Sequence, residues 1–281
     1  MQDAISANDF YLMTKVNRVV IPFAAFLAGI ILSNVFEPVL ILLSFVAIVF
    51  TYSAAATLND IFDSNIDRIS NSNRPLPQRK IEASGALFFA AVFGLVGIMT
   101  AFYISTTYGK PFFVWIAIAE LVLGVLYSAI MSKNFLTANG TLAVTHGLIP
   151  FITAAYLMTL TIDNSILIFG GVVWLLLFLT YNLKDLKDAR GDLYERKTLP
   201  VIFGVDHAKK INVFLLSAAL PIGIVGAILT KRSLLGIGLT IFFGLCLIVL
   251  AIQLSNSNNN YEKTLGKFRI LMGLLIISMA L

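Results

Sequence analysis

The sequence predicts an all-α membrane protein with nine transmembrane helices, and three observations support this prediction. Of its 281 residues, 58% are hydrophobic and only 12% are charged, about half the charged fraction of an ordinary globular domain. The apolar residues form runs of about 20, the length that crosses a bilayer as a helix. The basic residues fall mainly on one side of the predicted membrane. This composition excludes a water-soluble enzyme, a disordered chain and a nucleic-acid-binding protein.

Nine apolar runs are the predicted spans. They lack the period-two alternation of transmembrane β-strands, which favours helices over a barrel. The last run is the shortest of the nine. In chain order the predicted spans are residues 19–35, 39–57, 84–106, 111–131, 140–160, 165–183, 211–229, 234–254 and 266–281.

The basic residues predict the orientation of these spans. In the nine-span arrangement, 17 of the 20 Lys and Arg residues lie on the side of the N-terminus. Only Lys110, Lys231 and Arg232 lie on the opposite side. By the positive-inside rule, the N-terminus and the two long loops, residues 58–83 and 184–210, are predicted to be cytoplasmic. The first 12 residues hold two acids and no basic cluster, so we expect no cleavable signal peptide. The single cysteine, Cys246, excludes a disulfide framework.

Each long loop carries three aspartates spaced at i, i+3 and i+7, which is one face of a helix. Each aspartate of the first loop lies 125 residues before its counterpart in the second. This repeat predicts a single domain, residues 1–281, built from two four-helix halves and a ninth helix. The two acidic triplets are Asp60, Asp63 and Asp67 in the first loop, and Asp185, Asp188 and Asp192 in the second.

Carboxylates that share one helical face repel each other unless a cation lies between them. A hard divalent cation such as Mg²⁺ takes oxygen ligands and is typically bound by one or two carboxylates plus substrate phosphate oxygens. The paired triplets therefore predict Mg²⁺ ions that bridge a diphosphate. Basic side chains near the triplets are candidates to contact its oxygens. They are Arg68, Arg74 and Lys80 near the first triplet, and Lys184, Lys187, Arg190 and Lys197 near the second.

Both loops resemble signatures of the UbiA superfamily of intramembrane prenyltransferases. The first resembling segment is Asn59-Asp60-x-x-Asp63-x-x-x-Asp67-Arg68, followed by Arg74-Pro75-Leu76-Pro77. The second is Lys184-Asp185-x-x-Asp188-x-x-Gly191-Asp192, followed by Lys197-Thr198-Leu199-Pro200. A weaker similarity covers Tyr127-Ser128, Lys133 and Asn139. The chain departs from the family pattern at Gln78-Arg79 and at the four residues 193–196.

The resemblance implies a helical bundle around a central cavity that the acidic loops cap on the cytoplasmic side. It implies Mg²⁺-dependent transfer of an isoprenyl group from an isoprenyl diphosphate to a lipophilic or phosphorylated acceptor. The implied metal ligands are Asn59, Asp63, Asp67, Asp188 and Asp192, with Asp60 and Asp185 close by. The implied diphosphate contacts are Arg74, Lys133 and Lys184, with Arg68 and Lys80 as further candidates. Tyr127 would face the allylic carbon.

Several functions fit this pattern. The closest resemblance is to the ether-lipid branch of the family, whose acceptor is geranylgeranylglyceryl phosphate. Lys15, Arg18, Arg79 and Lys80 are candidates to bind the phosphate of such an acceptor. Branches that prenylate quinone or chlorophyll precursors, and UbiA-like terpene cyclases, share much of the pattern. A transporter built from half-repeats would place its carboxylates at the midplane, whereas these lie at the ends of spans. Glu120 and His146 lie within spans, where either a hydrogen bond between helices or a role as a base for the acceptor fits.

Overall fold

The computed structural model describes residues 7–15, 18–69, 74–193, 195–256 and 261–281. The regular secondary structure of these residues is entirely helical, which confirms the prediction of an all-α protein. The helices are α1 (Ala7–Thr14), α2 (Val20–Ser33), α3 (Pro38–Phe62), α4 (Ser64–Ile69), α5 (Ala83–Thr107), α6 (Phe113–Ala129), α7 (Phe135–Ala143), α8 (Ile149–Thr159), α9 (Asn164–Thr180), α10 (Asp185–Asp192), α11 (Leu199–Phe203), α12 (Val205–Leu229), α13 (Leu234–Asn256) and α14 (Tyr261–Ala280). A π-helical segment, Val144–Leu148, joins α7 to α8, and a 3₁₀ turn, Tyr181–Lys184, joins α9 to α10.

Six helical stretches in the described part of the chain are long and apolar enough to cross a membrane. Two shorter apolar helices, α2 and α6, fall on the first and fourth predicted spans. Helix α14 covers the last predicted span, and its first half carries charged residues. The chain is an integral membrane protein. The six stretches are Pro38–Phe62, Ala83–Thr107, Phe135–Thr159, Asn164–Asp192, Val205–Leu229 and Leu234–Leu254.

The helices form two compact units. The first unit contains the described residues up to Val19 together with Glu37–Ser132. Its centre is α3, which packs against α5 and α6 and also contacts α1. Close approach of α5 to α3 requires a glycine, because a Cβ atom at Gly97 would lie 2.9 Å from the backbone nitrogen of Thr51.

The second unit contains Val20–Phe36 and Lys133–Leu281. Helix α2 packs here, against α8 and α14, although the repeat in the sequence groups it with the first four spans. The predicted division into two four-helix halves therefore differs from the packing. The reason lies in small side chains at the α2–α8 contact: a Cβ atom at Gly29 would lie 2.8 Å from the Cβ of Ala154, and closer still to the carbonyl oxygen of Phe151.

Candidate functional site

The first acidic motif spans the end of α3 and the start of α4. Asn59 and Asp60 lie in the last turn of α3, and Asp67 lies in α4. Asp63 ends α3 with φ −86° and ψ 1°, in the bridge region of backbone conformation. The expectation that Asp60, Asp63 and Asp67 share one face of a continuous helix is therefore wrong. The chain still turns tightly there, because the Asp67 amide donates a hydrogen bond to the Asp63 carbonyl at 2.9 Å.

Asp60 is the most buried carboxylate of this motif, with 1% of its surface exposed. Its Oδ1 accepts hydrogen bonds from Lys15 Nζ at 2.5 Å and from Arg74 Nη1 at 2.8 Å. The same Arg74 nitrogen also donates to Asp67 Oδ2. The Lys15 ammonium further donates to the carbonyl oxygen of Ala56 at 2.9 Å. Two cations thus neutralise two buried carboxylates, as buried charges require.

Burial changes the acidity of groups in this network. It raises the pKa of Asp67 to about 6, and the neighbouring Arg74 guanidinium acts in the opposite direction. Burial also lowers the pKa of Lys15 to about 7, while the Asp60 carboxylate opposes that change. Both effects reflect the free energy needed to remove an ion from water.

The other predicted residues of the first unit lie in varied surroundings. The Lys80 ammonium is 3.5 Å from Asp9 Oδ1 in α1, so it takes part in an ion pair with the N-terminal helix. Arg68 is exposed at the end of α4. Tyr127 is half-buried near the end of α6. The roles expected for these three side chains remain predictions.

The second acidic motif is a single helix. Asp185, Asp188 and Asp192 all lie in α10, as their spacing predicts. Asp185 and Asp192 are buried, whereas Asp188 is half-buried. Lys184 Nζ lies 3.8 Å from Asp185 Oδ1, and Arg196 Nη1 lies 3.7 Å from Asp192 Oδ1. Each end of this motif therefore has a cation close to a buried carboxylate.

A backbone bridge holds the loop after α10. Asn134 and Lys197 form an isolated parallel bridge. The Lys197 amide donates to the Lys133 carbonyl at 2.8 Å, and the Phe135 amide donates to the Lys197 carbonyl at 3.1 Å. The bridge brings the main chains of Lys133 and Lys197 together, and both residues are exposed. Two basic residues singled out from the sequence thus share one part of the second unit.

Sequence reasoning missed two of these charged contacts. Arg196 was not selected, although the i, i+4 spacing from Asp192 could have revealed the pair. Lys15 was grouped with residues for an acceptor phosphate, whereas the structure pairs it with Asp60. No local signal marks that contact, because 45 residues separate the two side chains.

The residues of both motifs fit a Mg²⁺ site. Asp192 Oδ1 is buried and accepts no hydrogen bond in the protein, so the second motif holds a carboxylate oxygen that suits a cation. Asn59 Nδ2 is also buried without a hydrogen-bond partner, but as an N–H donor it suits a phosphate oxygen and not the metal. Among the described residues, no group of three His, Cys, Asp or Glu side chains could hold a metal by itself. Mg²⁺ needs no such group, since it typically takes one or two carboxylates and completes its coordination with water and substrate phosphates.

The two ionisable residues within spans have defined neighbours. Thr51 Oγ1 lies 3.3 Å from Glu120 Oε2, a polar contact that links α3 to α6. His146 lies in the π-helical segment, with Nδ1 3.0 Å from Thr145 Oγ1. Its ring also meets the edge of Tyr181, with 5.6 Å between the ring centroids.

Comparison with known sequences finds one family model and several named relatives that match most of the chain. A model of the UbiA prenyltransferase family matches residues 19–274. A digeranylgeranylglyceryl phosphate synthase of Methanosphaera stadtmanae is 29% identical over 210 residues, which cover 74% of each chain. A protein of the same name from Thermococcus gammatolerans is 26% identical over 242 residues, 86% of this chain and 83% of that one.

Solved structures share the fold. A UbiA homologue from Aeropyrum pernix K1, without ligand, superposes with a TM-score of 0.71 at 18% identity, covering 94% of this chain and 96% of that one. A UbiA homologue from Archaeoglobus fulgidus bound to GPP and Mg²⁺ gives a TM-score of 0.67 at 16% identity, covering 97% and 100%. At these identities the likeness concerns the fold.

Proposed function

Because the chain belongs to the UbiA prenyltransferase family, we propose that it transfers an isoprenyl group from an isoprenyl diphosphate to an acceptor in a Mg²⁺-dependent reaction. The observation that carries the proposal is the pairing of acidic and basic side chains in both motifs. Asp60 and Asp67 contact Arg74 in the first, and Asp185 and Asp192 have Lys184 and Arg196 nearby in the second. Carboxylates are suited to a divalent cation, and the basic side chains to a diphosphate.

The proposed acceptor is geranylgeranylglyceryl phosphate. Support comes from the matched relatives, which are named digeranylgeranylglyceryl phosphate synthases and align over most of their length. The neighbour structure bound to GPP and Mg²⁺ supports the donor class and the metal. Prenylation of a quinone or chlorophyll precursor, and cyclisation without an acceptor, are the competing outcomes of the test below.

In the proposed mechanism both motifs are required to bind the diphosphate. Mg²⁺ held by these acidic residues would supply positive charge to stabilise the leaving group. Arg74, Lys133 and Lys184 contact diphosphate oxygens and neutralise the same charge, with Arg68 and Lys80 as further contacts. The proposed metal ligands are Asn59, Asp60, Asp63, Asp67, Asp185, Asp188 and Asp192. Asp60 in addition holds Arg74 in place through the hydrogen bond described above.

The membrane fold suits the donor. Each buried methylene contributes about 0.8 kcal/mol, so a long isoprenoid chain remains in an apolar environment. We propose one domain of nine transmembrane helices around a central apolar cavity that excludes water from the allylic cation. Tyr127 would present its π-face to that cation.

We further propose that the N-terminus and both acidic loops are cytoplasmic, as the distribution of basic residues indicates. A membrane-impermeant maleimide tests this in a Cys246→Ser background, with single cysteines at exposed Gln78 or Thr107. In intact cells only T107C should react, and both should react after lysis. Labelling of Q78C in intact cells would contradict the orientation.

The reaction is tested by incubating purified protein with labelled geranylgeranyl diphosphate, Mg²⁺ and a panel of acceptors. We expect a prenylated product with geranylgeranylglyceryl phosphate and none with aromatic acids. Product with an aromatic acid alone would select the quinone-type branch. A hydrocarbon product formed without acceptor would select a cyclase. Absence of any Mg²⁺-dependent release of diphosphate would refute the function.

A further inference from the structure

We propose that His146 accepts the proton of the acceptor hydroxyl group when the new carbon–oxygen bond forms. The inference rests on the transfer reaction proposed above. It concerns a side chain outside both acidic motifs, in a segment that the sequence places within a membrane span. An ionisable residue within a span is costly in free energy and usually has a specific role.

The backbone around His146 is irregular. Residues Val144–Leu148 form a π-helical segment, in which the Ile149 amide donates to the Val144 carbonyl. Pro150 lies two residues after this segment. Because proline has no amide hydrogen, the His146 carbonyl cannot accept the usual helical hydrogen bond from the residue four positions later. Single π-helical turns inside α-helices occur frequently at functional sites.

The segment is held firmly against α9. A Cβ atom at Gly147 would lie 2.5 Å from Leu177 Cδ1 and 3.0 Å from Val173 Cγ1, and both of those side chains are fully buried. Protein interiors are close-packed, so this contact fixes the backbone next to His146. A side chain that must meet a reacting hydroxyl group benefits from such a fixed position.

Hydrogen bonding assigns the tautomer of His146. Thr145 Oγ1 lies 3.0 Å from the carbonyl oxygen of Thr141, which can only accept, so the threonine hydroxyl donates its hydrogen there. Thr145 Oγ1 then accepts from His146 Nδ1–H at 3.0 Å. With the proton on Nδ1, Nε2 carries the lone pair and is the basic nitrogen.

The imidazole ring is also linked to the second acidic motif. Its edge-on contact is with Tyr181, the first residue of the 3₁₀ turn that leads directly into Asp185. At a rise of about 2 Å per residue, Tyr181 lies about 8 Å along the helix from Asp185, toward the centre of the span. A group at that depth is placed to act on the carbon attached to a diphosphate bound by α10.

The proposed step balances as follows. The bond between the allylic carbon and the diphosphate oxygen breaks, and its electron pair leaves with diphosphate. A lone pair of the acceptor oxygen forms the new bond to that carbon. The hydroxyl proton moves to Nε2 of His146, while Nδ1–H remains bonded to Thr145 Oγ1. The imidazolium then loses the Nε2 proton to water, which restores the starting state.

The test compares two acceptors, geranylgeranylglyceryl phosphate and its analogue in which a thiol replaces the reacting hydroxyl. A thiol ionises far more readily than an alcohol, as the cysteine pKa of about 8.5 illustrates, and so needs less help from a base. We expect His146→Gln to slow transfer to the hydroxyl acceptor about 10²- to 10³-fold, in the range typical of a lost general base. Transfer to the thiol acceptor should fall only a few-fold.

Two further variants complete the design. His207→Gln is the matched control, because His207 is exposed in the first turn of α12, and it should behave as the wild type. Thr145→Val removes the acceptor of Nδ1–H and should slow transfer to the hydroxyl acceptor selectively, by about tenfold or more. It also provides a second route to the same conclusion if H146Q does not fold.

The outcomes separate this inference from the proposed function. Equal losses with both acceptors, in H146Q and T145V alike, would show a structural role and overturn the inference. Undiminished transfer by H146Q would also overturn it, while leaving the prenyltransferase function intact. Absence of transfer by the wild type would refute the proposed function and, with it, this role of His146.

Discussion

Lys15 and Asp60 form a buried ion pair, with 2.5 Å between Nζ and Oδ1, although 45 residues of chain separate them. Lys15 follows α1 directly, and Asp60 lies in the last turn of α3. Further hydrogen bonds join the same segments, from Ser53 Oγ to the Thr14 carbonyl at 2.8 Å and from Thr57 Oγ1 to the Met13 carbonyl. The N-terminal helix therefore helps to hold the first acidic motif in position.

Lys15→Met should destabilise the protein. It leaves the Asp60 carboxylate buried with one cation in place of two, and breaking a buried pair typically costs about 3 kcal/mol. Thermal unfolding in detergent measures the effect. Lys80→Met is the matched control, because the Lys80 side chain is 42% exposed and its pair with Asp9 should contribute about 1 kcal/mol or less.

A double variant checks the physical reason for this effect. If the loss comes from an uncompensated charge, Lys15→Met combined with Asp60→Asn should recover more than half of the lost stability. Equal stability of the single and double variants would show that packing of the lysine chain dominates.

Asp63→Ala and Asp188→Ala should each reduce the rate of Mg²⁺-dependent diphosphate release about 10²-fold or more, because each removes a carboxylate from one motif. A diphosphate-release assay in detergent checks this, with a thermal scan to verify folding. Asp206→Ala in the first turn of α12, where the carboxylate is exposed, is the control and should retain activity. Full turnover by either motif variant would remove that aspartate from the site.

Removal of Mg²⁺ by a chelator should inhibit the enzyme reversibly. We expect EDTA to stop turnover and Mg²⁺ to restore it. Adding Mg²⁺ with inorganic diphosphate should raise the unfolding temperature, since a ligand that binds only the folded state stabilises it by about 2.7 kcal/mol at 100 times its Kd. Asp63→Ala should show a much smaller rise. An identical rise in wild type and variant would place the ligand elsewhere.

Gly29→Ala should destabilise the second unit. The added methyl group would meet the Phe151 carbonyl and the Ala154 side chain, and such overpacking typically costs about 1–3 kcal/mol. Gly171→Ala is the control, because a Cβ atom there meets nothing within 4 Å, and alanine favours a helix over glycine by up to about 1 kcal/mol. Thermal unfolding of the two variants should therefore shift in opposite directions.

The helical class and most of the apolar spans could be read from the sequence, because hydropathy over about 20 residues depends only on local composition. The continuous helix of Asp185, Asp188 and Asp192 was predictable from their i, i+3 and i+7 spacing, which is also a local property of the sequence. The interruption at Asp63 was not, since the spacing of its aspartates equals that of α10. The difference appears only in the fold, where Asp60 and Asp67 both bind Arg74.

Contacts between segments that are distant in the chain could not be predicted from the sequence either. The repeat grouped α2 with the first half, yet its small residues pack against α8 and α14. In the sequence, only a glycine and a proline near His146 indicate the π-helical segment, and they do so weakly. The partner of Lys15 depends on how α1 meets α3, which no local pattern specifies.

The bridge between residues 133–135 and Lys197 is made of main-chain groups alone. Replacing either lysine leaves this tether in place, whereas proline at residue 135 or 197 removes an amide donor. Substitution of these exposed lysines can therefore change the charge of the loop without loss of its main-chain anchor.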